Sequence, residues 1–174
     1  MNLGDLSLLT NFASNLAVLV SLLFLGLQVR QGNRNQRSLM QQGRSGRNVD
    51  LLARLSEPSL ANLMSRAAGN EELTDAEYYQ LYGYMTSVFW SYEDCFLQFR
   101  AGMLDAQSWS SDNATLKRLL ANPVYRAVWK AARGALGEEY RNFVDGLASE
   151  SRPSAQISMA NVLRQYIAEE RQAR

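Results

Sequence analysis

The chain has no histidine among its 174 residues and only one cysteine, Cys95. Without histidine there can be no Ser-His-Asp or Cys-His nucleophile system and no imidazole-bound zinc or haem iron. The commonest general base near neutral pH is missing too. A single thiol builds neither an intrachain disulfide nor a zinc or iron–sulfur site, which fits a reducing compartment. Proline is scarce, with three residues and none before Pro58, so no proline breaks a helix upstream of it. No Walker-type glycine loop, nucleophile elbow or dinucleotide fingerprint occurs. No cofactor, metal site or catalytic residue is therefore expected, and the acid–base chemistry that remains is that of carboxylates.

Charge is missing from one stretch above all. From Leu6 to Val29 the sequence LSLLTNFASNLAVLVSLLFLGLQV runs for 24 residues without a charged side chain. At 1.5 Å rise per residue this covers about 36 Å, enough to cross a hydrocarbon core of roughly 30 Å. Apolar residues are densest from Leu16 to Leu27, and Leu, Val and Phe each favour insertion by about a few tenths of a kcal/mol, against modest costs from Asn11, Asn15 and Gln28. The pattern predicts a transmembrane helix over residues 6–29. A long helix buried at the centre of a soluble bundle is the competing reading, since the chain as a whole has a negative mean hydropathy. A cleaved secretory signal fits less well, because Asp5 stands where a basic segment is needed and no small-x-small pattern follows the apolar run.

The flanking charges give this helix a direction. Arg30, Arg34, Arg37, Arg44 and Arg47 follow the apolar run with no acidic residue before Asp50, while residues 1–5 carry no Lys or Arg. By the positive-inside rule, residues 1–5 are an extracytoplasmic tail and the chain after the span is cytoplasmic, which gives a single-pass inner-membrane protein, N-out and C-in. The same five arginines either act only as the topology signal or also hold anionic lipid headgroups. The span also carries a face on which it could pack laterally. Ala13, Ala17 and Ser21 form a small-xxx-small row, and Asn11 and Asn15 can hydrogen-bond across helices, so a homo-oligomer or a membrane-protein partner is open alongside a chance arrangement.

Beyond the collar at residues 30–49, residues 50–174 suffice for one helical domain with its own core. This part holds 13 basic and 16 acidic residues, which argues against a nucleic-acid partner because that role needs a concentrated basic face. The anchor is expected to continue as a helix through the collar, with Gly32, Gly43 and Gly46 as its weak points. Pro58 opens a short helix that stops near Gly69, and Thr74 with Glu77 reads as a capping box for the longest soluble helix. Along that helix Tyr82, Met85, Phe89, Tyr92, Phe96, Phe99 and Met103 recur at spacings of three and four, a broad inward stripe. Gly102 marks its stop, and residues 105–120 form a further helix. Asn122-Pro123 begins the next, Gly137 precedes EEYRNFVDGL, and a last helix from about Ser154 turns Ile157, Val162, Tyr166 and Ile167 inward. Nothing alternates as a strand does. The fold class is all-α, an N-terminal transmembrane helix continuing into a cytoplasmic helical bundle.

Three segments, FLGLQVRQGNRNQRS, SYEDCFLQFRAGMLD with a Trp shortly after it, and ANPVYRAVWKAARGALGEEYRNFVDGL, resemble a family of uncharacterised bacterial membrane-anchored helical proteins. The resemblance extends to about Leu147. In that family the anchor tends to end in a glutamine, an arginine and an asparagine, matched here by Gln28, Arg30 and Asn33, whereas Gly32 departs from the usual helix former. The resemblance implies topology and fold but brings no established activity.

Among the carboxylates, Glu93 and Asp94 lie in the central helix, about 100° apart around its axis, so they cannot share one face. Asp94 falls with Ser87, Ser91 and Gln98 on the polar side. Glu93 falls beside Trp90 and Leu97, where a charge requires a partner, and Arg126 or Arg141 is expected to form a buried ion pair with it. Cys95 sits on the apolar stripe as an inert core thiol. Trp90, Trp109 and Trp129 either fill the core or line a ligand pocket. Two functions remain open. One is a non-catalytic, membrane-tethered interaction or accessory protein, which needs an uncovered apolar surface; the other is a small-ligand sensor or carboxylate enzyme, which needs a pocket with converging polar groups.

Overall fold

The computed structural model describes residues 3–151 and 159–173 and is all-helical, with no strand among the described residues. Among the described residues, seven α-helices follow one another: α1 (Leu3–Leu55), α2 (Pro58–Ala68), α3 (Asp75–Arg100), α4 (Ala106–Leu120), α5 (Pro123–Ala132), α6 (Glu138–Glu150) and α7 (Met159–Gln172). A short 3-10 turn, Arg133–Ala135, lies between α5 and α6. The chain divides into two compact units, Met1–Gly43 and Arg44–Arg174, with α1 contributing to both.

The first unit is helical throughout its described residues. Gly26, Gly32 and Gly43 all remain within α1, so their backbone entropy, about 1 kcal/mol each against Ala, does not end the helix. α1 is the one described helix long and apolar enough to cross a membrane by length and composition. None of its most apolar window is buried, and Leu16, Leu19, Leu22, Leu23, Phe24 and Leu25 are all exposed.

The second unit is organised on α3, which packs against α2, α4 and α5, while α6 packs on α4. The capping box forms as its sequence requires. Thr74 Oγ1 accepts from the Glu77 amide, and the Glu77 carboxylate accepts from the Thr74 amide at 2.8 Å. At the other end Gly102 adopts a left-handed φ of 69°. The Gly102 amide then reaches Phe99 O and the Met103 amide reaches Gln98 O, each at 2.9 Å, the closure in which a side chain would be strained. α2 ends the same way with Asn70 in place of glycine: φ is 56°, and the Glu71 amide reaches Arg66 O at 3.1 Å. The left-handed residue is thus Asn70 rather than Gly69, which Asn tolerates better than most side chains.

Core residues come from every helix from α2 to α6. Met85, Phe89, Leu116, Leu120, Tyr140 and Val144 are its most enclosed members. Aromatic rings join the layers. Phe89 lies 5.0 Å from Trp129, Phe96 lies 5.2 Å from Phe143, and Phe99 stacks on Trp109 at 5.1 Å. The expected α3 stripe enters this core only in its middle. Met85, Phe89 and Phe96 are buried, with Leu81, Val88 and Cys95 beside them, whereas Tyr82 and Met103 are exposed. The inward face expected of the last helix is not found. Tyr166 and Ile167 are exposed on α7, Val162 is half-buried, and Ile157 lies outside the described residues.

Candidate functional site

The C-terminal turns of α1 belong to the second unit, where Leu51 packs on the core and two ion pairs form. Arg44 Nη1 donates to Asp112 Oδ2 of α4 at 2.8 Å, with only 17% and 18% of the two side chains exposed. Arg47 forms an ion pair with Asp94 of α3, whose Oδ2 also accepts from Gln98 Nε2 at 2.8 Å. The Arg47 contact is not aligned as a hydrogen bond, and its Nε and Nη2 are both shut off from solvent. Two of the five collar arginines are therefore engaged by carboxylates of the helical domain rather than left for a lipid surface. The physical reason is that the acidic partners, remote in sequence, stand where a half-buried guanidinium needs them. Arg30, Arg34 and Arg37 are exposed and enter no ion pair among the described residues.

Beside this latch an open groove of about 330 Å³ runs between α1 and α3. α1 supplies Arg47, Asp50, Leu51 and Arg54, and α3 supplies Ser87, Trp90 and Ser91. Trp90 is 54% exposed, unlike Trp129, which is buried, and Trp109, which packs against the core. Two tryptophans thus fill the core and the third borders a groove. Sequence spacing does not single out Asp50 or Arg54. The only available signal was an acidic and a basic residue one helical turn apart, which is common on exposed helices.

Glu93 does not find the arginine expected for it. Its Oε1 accepts from the Gly137 amide at 2.6 Å, at the start of α6, so a helix N-terminus compensates the carboxylate in place of a side-chain cation. A Cβ at Gly137 would stand 3.1 Å from that oxygen, so a side chain there would crowd the carboxylate. Arg126 instead donates to the carbonyls of Ala148 and Ser151 and closes the end of α6. Nearby, the Tyr140 hydroxyl is buried without a hydrogen-bond partner among the described residues, and its acidity is suppressed first by burial and then by Glu93.

Cys95 is buried, and desolvation, with Asp112 next in effect, pushes its thiol up to about 11. It is a neutral thiol at physiological pH and a poor nucleophile. Burial likewise pushes Tyr92 up to about 12. No group of three or more His, Cys, Asp or Glu placed to hold a metal ion occurs among the described residues. In the first unit Ala17 and Ser21 are exposed one turn apart, and Ser21 Oγ donates to Ala17 O at 2.8 Å, so its proton is used within the helix. The side chain of Ala13 lies outside the described residues.

What the second unit presents is a helical scaffold with an amphipathic groove and exposed aromatic side chains. No protein-family model, curated protein or solved structure matches the chain.

Proposed function

We propose that this protein is a membrane-tethered helical interaction or accessory protein without catalytic activity. α1 spans the inner membrane of a bacterial cell once, N-terminus out, and the part beyond Arg44 is a cytoplasmic helical bundle. The observation that carries this reading is the exposure of the apolar run of α1. A row of Leu, Val and Phe that no protein core covers is costly in water, at about 1.5–3 kcal/mol per large side chain, and lipid removes that cost. Arg30, Arg34 and Arg37, exposed and unpaired, supply the basic flank that fixes cytoplasmic orientation and can meet anionic headgroups. Tyr78, Tyr79 and Tyr82, all exposed on α3, offer aromatic surface for a partner.

The experiment is purification of the full chain from membranes in mild detergent after crosslinking in intact cells. A partner, or a second copy, retained in stoichiometric amount and lost when Tyr79 and Tyr82 are changed to Ser supports the reading. A monomer that crosslinks to nothing contradicts the accessory role. Orientation is tested separately by protease treatment of spheroplasts, where the domain should resist digestion until the membrane is opened. A second reading, a small-ligand sensor, is favoured by the groove between α1 and α3, which places polar groups of both charges beside an exposed indole.

A further inference from the structure

We infer that the groove between the end of α1 and the middle of α3 binds a small zwitterion with an apolar body, namely an α-amino acid with an aromatic or large aliphatic side chain; this rests on the ligand-sensor reading above. The charges select the class. Asp50 and Arg54 stand one turn apart on α1, both exposed, and neither enters an ion pair among the described residues. Arg47 borders the same groove but is already committed to Asp94. The groove therefore offers one uncommitted anion and one uncommitted cation. A simple carboxylate would satisfy Arg54 and crowd Asp50, and a simple amine would do the reverse. A zwitterion satisfies both, its carboxylate on the Arg54 guanidinium and its ammonium on Asp50.

The remaining lining fits the same ligand. Trp90 and Leu51 offer an aromatic and an aliphatic surface to an apolar side chain. Ser87 spends its proton on Tyr84 O at 2.6 Å, so its oxygen is left as an acceptor for an ammonium. Ser91 makes no side-chain hydrogen bond among the described residues and can donate to a carboxylate. The volume of about 330 Å³ lies at the small end of the range for ligand pockets, which suits a single amino acid better than a peptide. The Arg47–Asp94 pair and the Arg44–Asp112 pair beside it hold α1 against α3 and α4, which keeps the two walls in register.

Titration calorimetry on the full chain in detergent tests this with three probes: L-phenylalanine, 3-phenylpropionate, which lacks the ammonium, and phenethylamine, which lacks the carboxylate. L-phenylalanine is expected to bind, and each analogue to bind at least about tenfold more weakly. Asp50→Asn should remove the advantage over 3-phenylpropionate, Arg54→Gln the advantage over phenethylamine, and Trp90→Ala should weaken all three. All three positions border solvent, and circular dichroism of each variant confirms that it keeps its helices. Equal binding of L-phenylalanine and 3-phenylpropionate would overturn the zwitterion while leaving a ligand groove in place. Binding of none of the three by the wild type would overturn the inference and remove the groove as support for the sensor reading.

Discussion

Leu23 and Leu116 are the same residue in the same backbone conformation, each in the interior of an α-helix, yet 71% of Leu23 is exposed and none of Leu116. Around Leu116 the helices α3 to α6 supply apolar partners from a distance in sequence. Around Leu23 the sequence supplies as much apolar surface, but none of that window is buried among the described residues. The difference teaches that hydrophobicity alone does not say which solvent a helix is built for. The second unit buries its apolar side chains in a core of its own, whereas the apolar run of α1 is exposed along its described length.

The largest expected effect follows from that contrast. Phe89→Ala removes a fully buried ring that touches both Tyr125 and Trp129, and should cost about 3–5 kcal/mol in urea unfolding of the detergent-solubilised chain. Leu23→Ala, with an equally apolar side chain, should leave that unfolding curve unmoved. A comparable loss from both would show that the two regions share one core.

Next comes the latch. Asp112→Ala leaves Arg44 without its carboxylate in a site that is mostly enclosed, and a loss of about 1–3 kcal/mol is expected. A double-mutant cycle with Arg44→Ala should recover part of it, whereas additive losses would mean that the pair does not couple. Smaller again is the α3 cap, where Thr74→Ala should cost about 1 kcal/mol in the same assay.

The subtlest effect is in pH. Glu77 is held below the ordinary carboxylate value chiefly by the Thr74 amide, with the Thr74 hydroxyl and Arg66 adding to it against an opposing effect of desolvation. Its contribution to stability is therefore complete above the unfolded carboxylate pKa of about 4.3 and is lost as pH falls through the lower folded value. Melting temperatures of wild type and Glu77→Gln should differ at neutral pH and converge under acid. A gap that persists in acid would assign the role of Glu77 to packing rather than charge.

Much of this was legible because it is local. Thr74 and Glu77 signal their cap within four residues, Gly102 signals a left-handed stop, and Asn122-Pro123 signals a start that the structure realises with Asn122 Oδ1 accepting from the Val124 amide. What could not be read depends on residues far apart in the chain. Arg44 and Arg47 look like the rest of a basic collar, and only the fold sets Asp112 and Asp94 against them. The sequence around Glu93 points to a side-chain cation, because a sequence does not show where the amide of a distant helix start will point. The apolar positions of α7 carry a helical period, but a period identifies a face without identifying what covers it.

The central claim is that the apolar run of α1 is solvated by lipid. Vesicle flotation after an alkaline carbonate wash tests it directly, comparing wild type with a Leu19→Arg, Leu23→Arg variant, in which each arginine costs about 2.5–3.5 kcal/mol at mid-membrane. Wild type should float with the vesicles and the variant should remain in the soluble fraction. Wild type that washes free, or that folds as a monomer without lipid or detergent, would contradict the account.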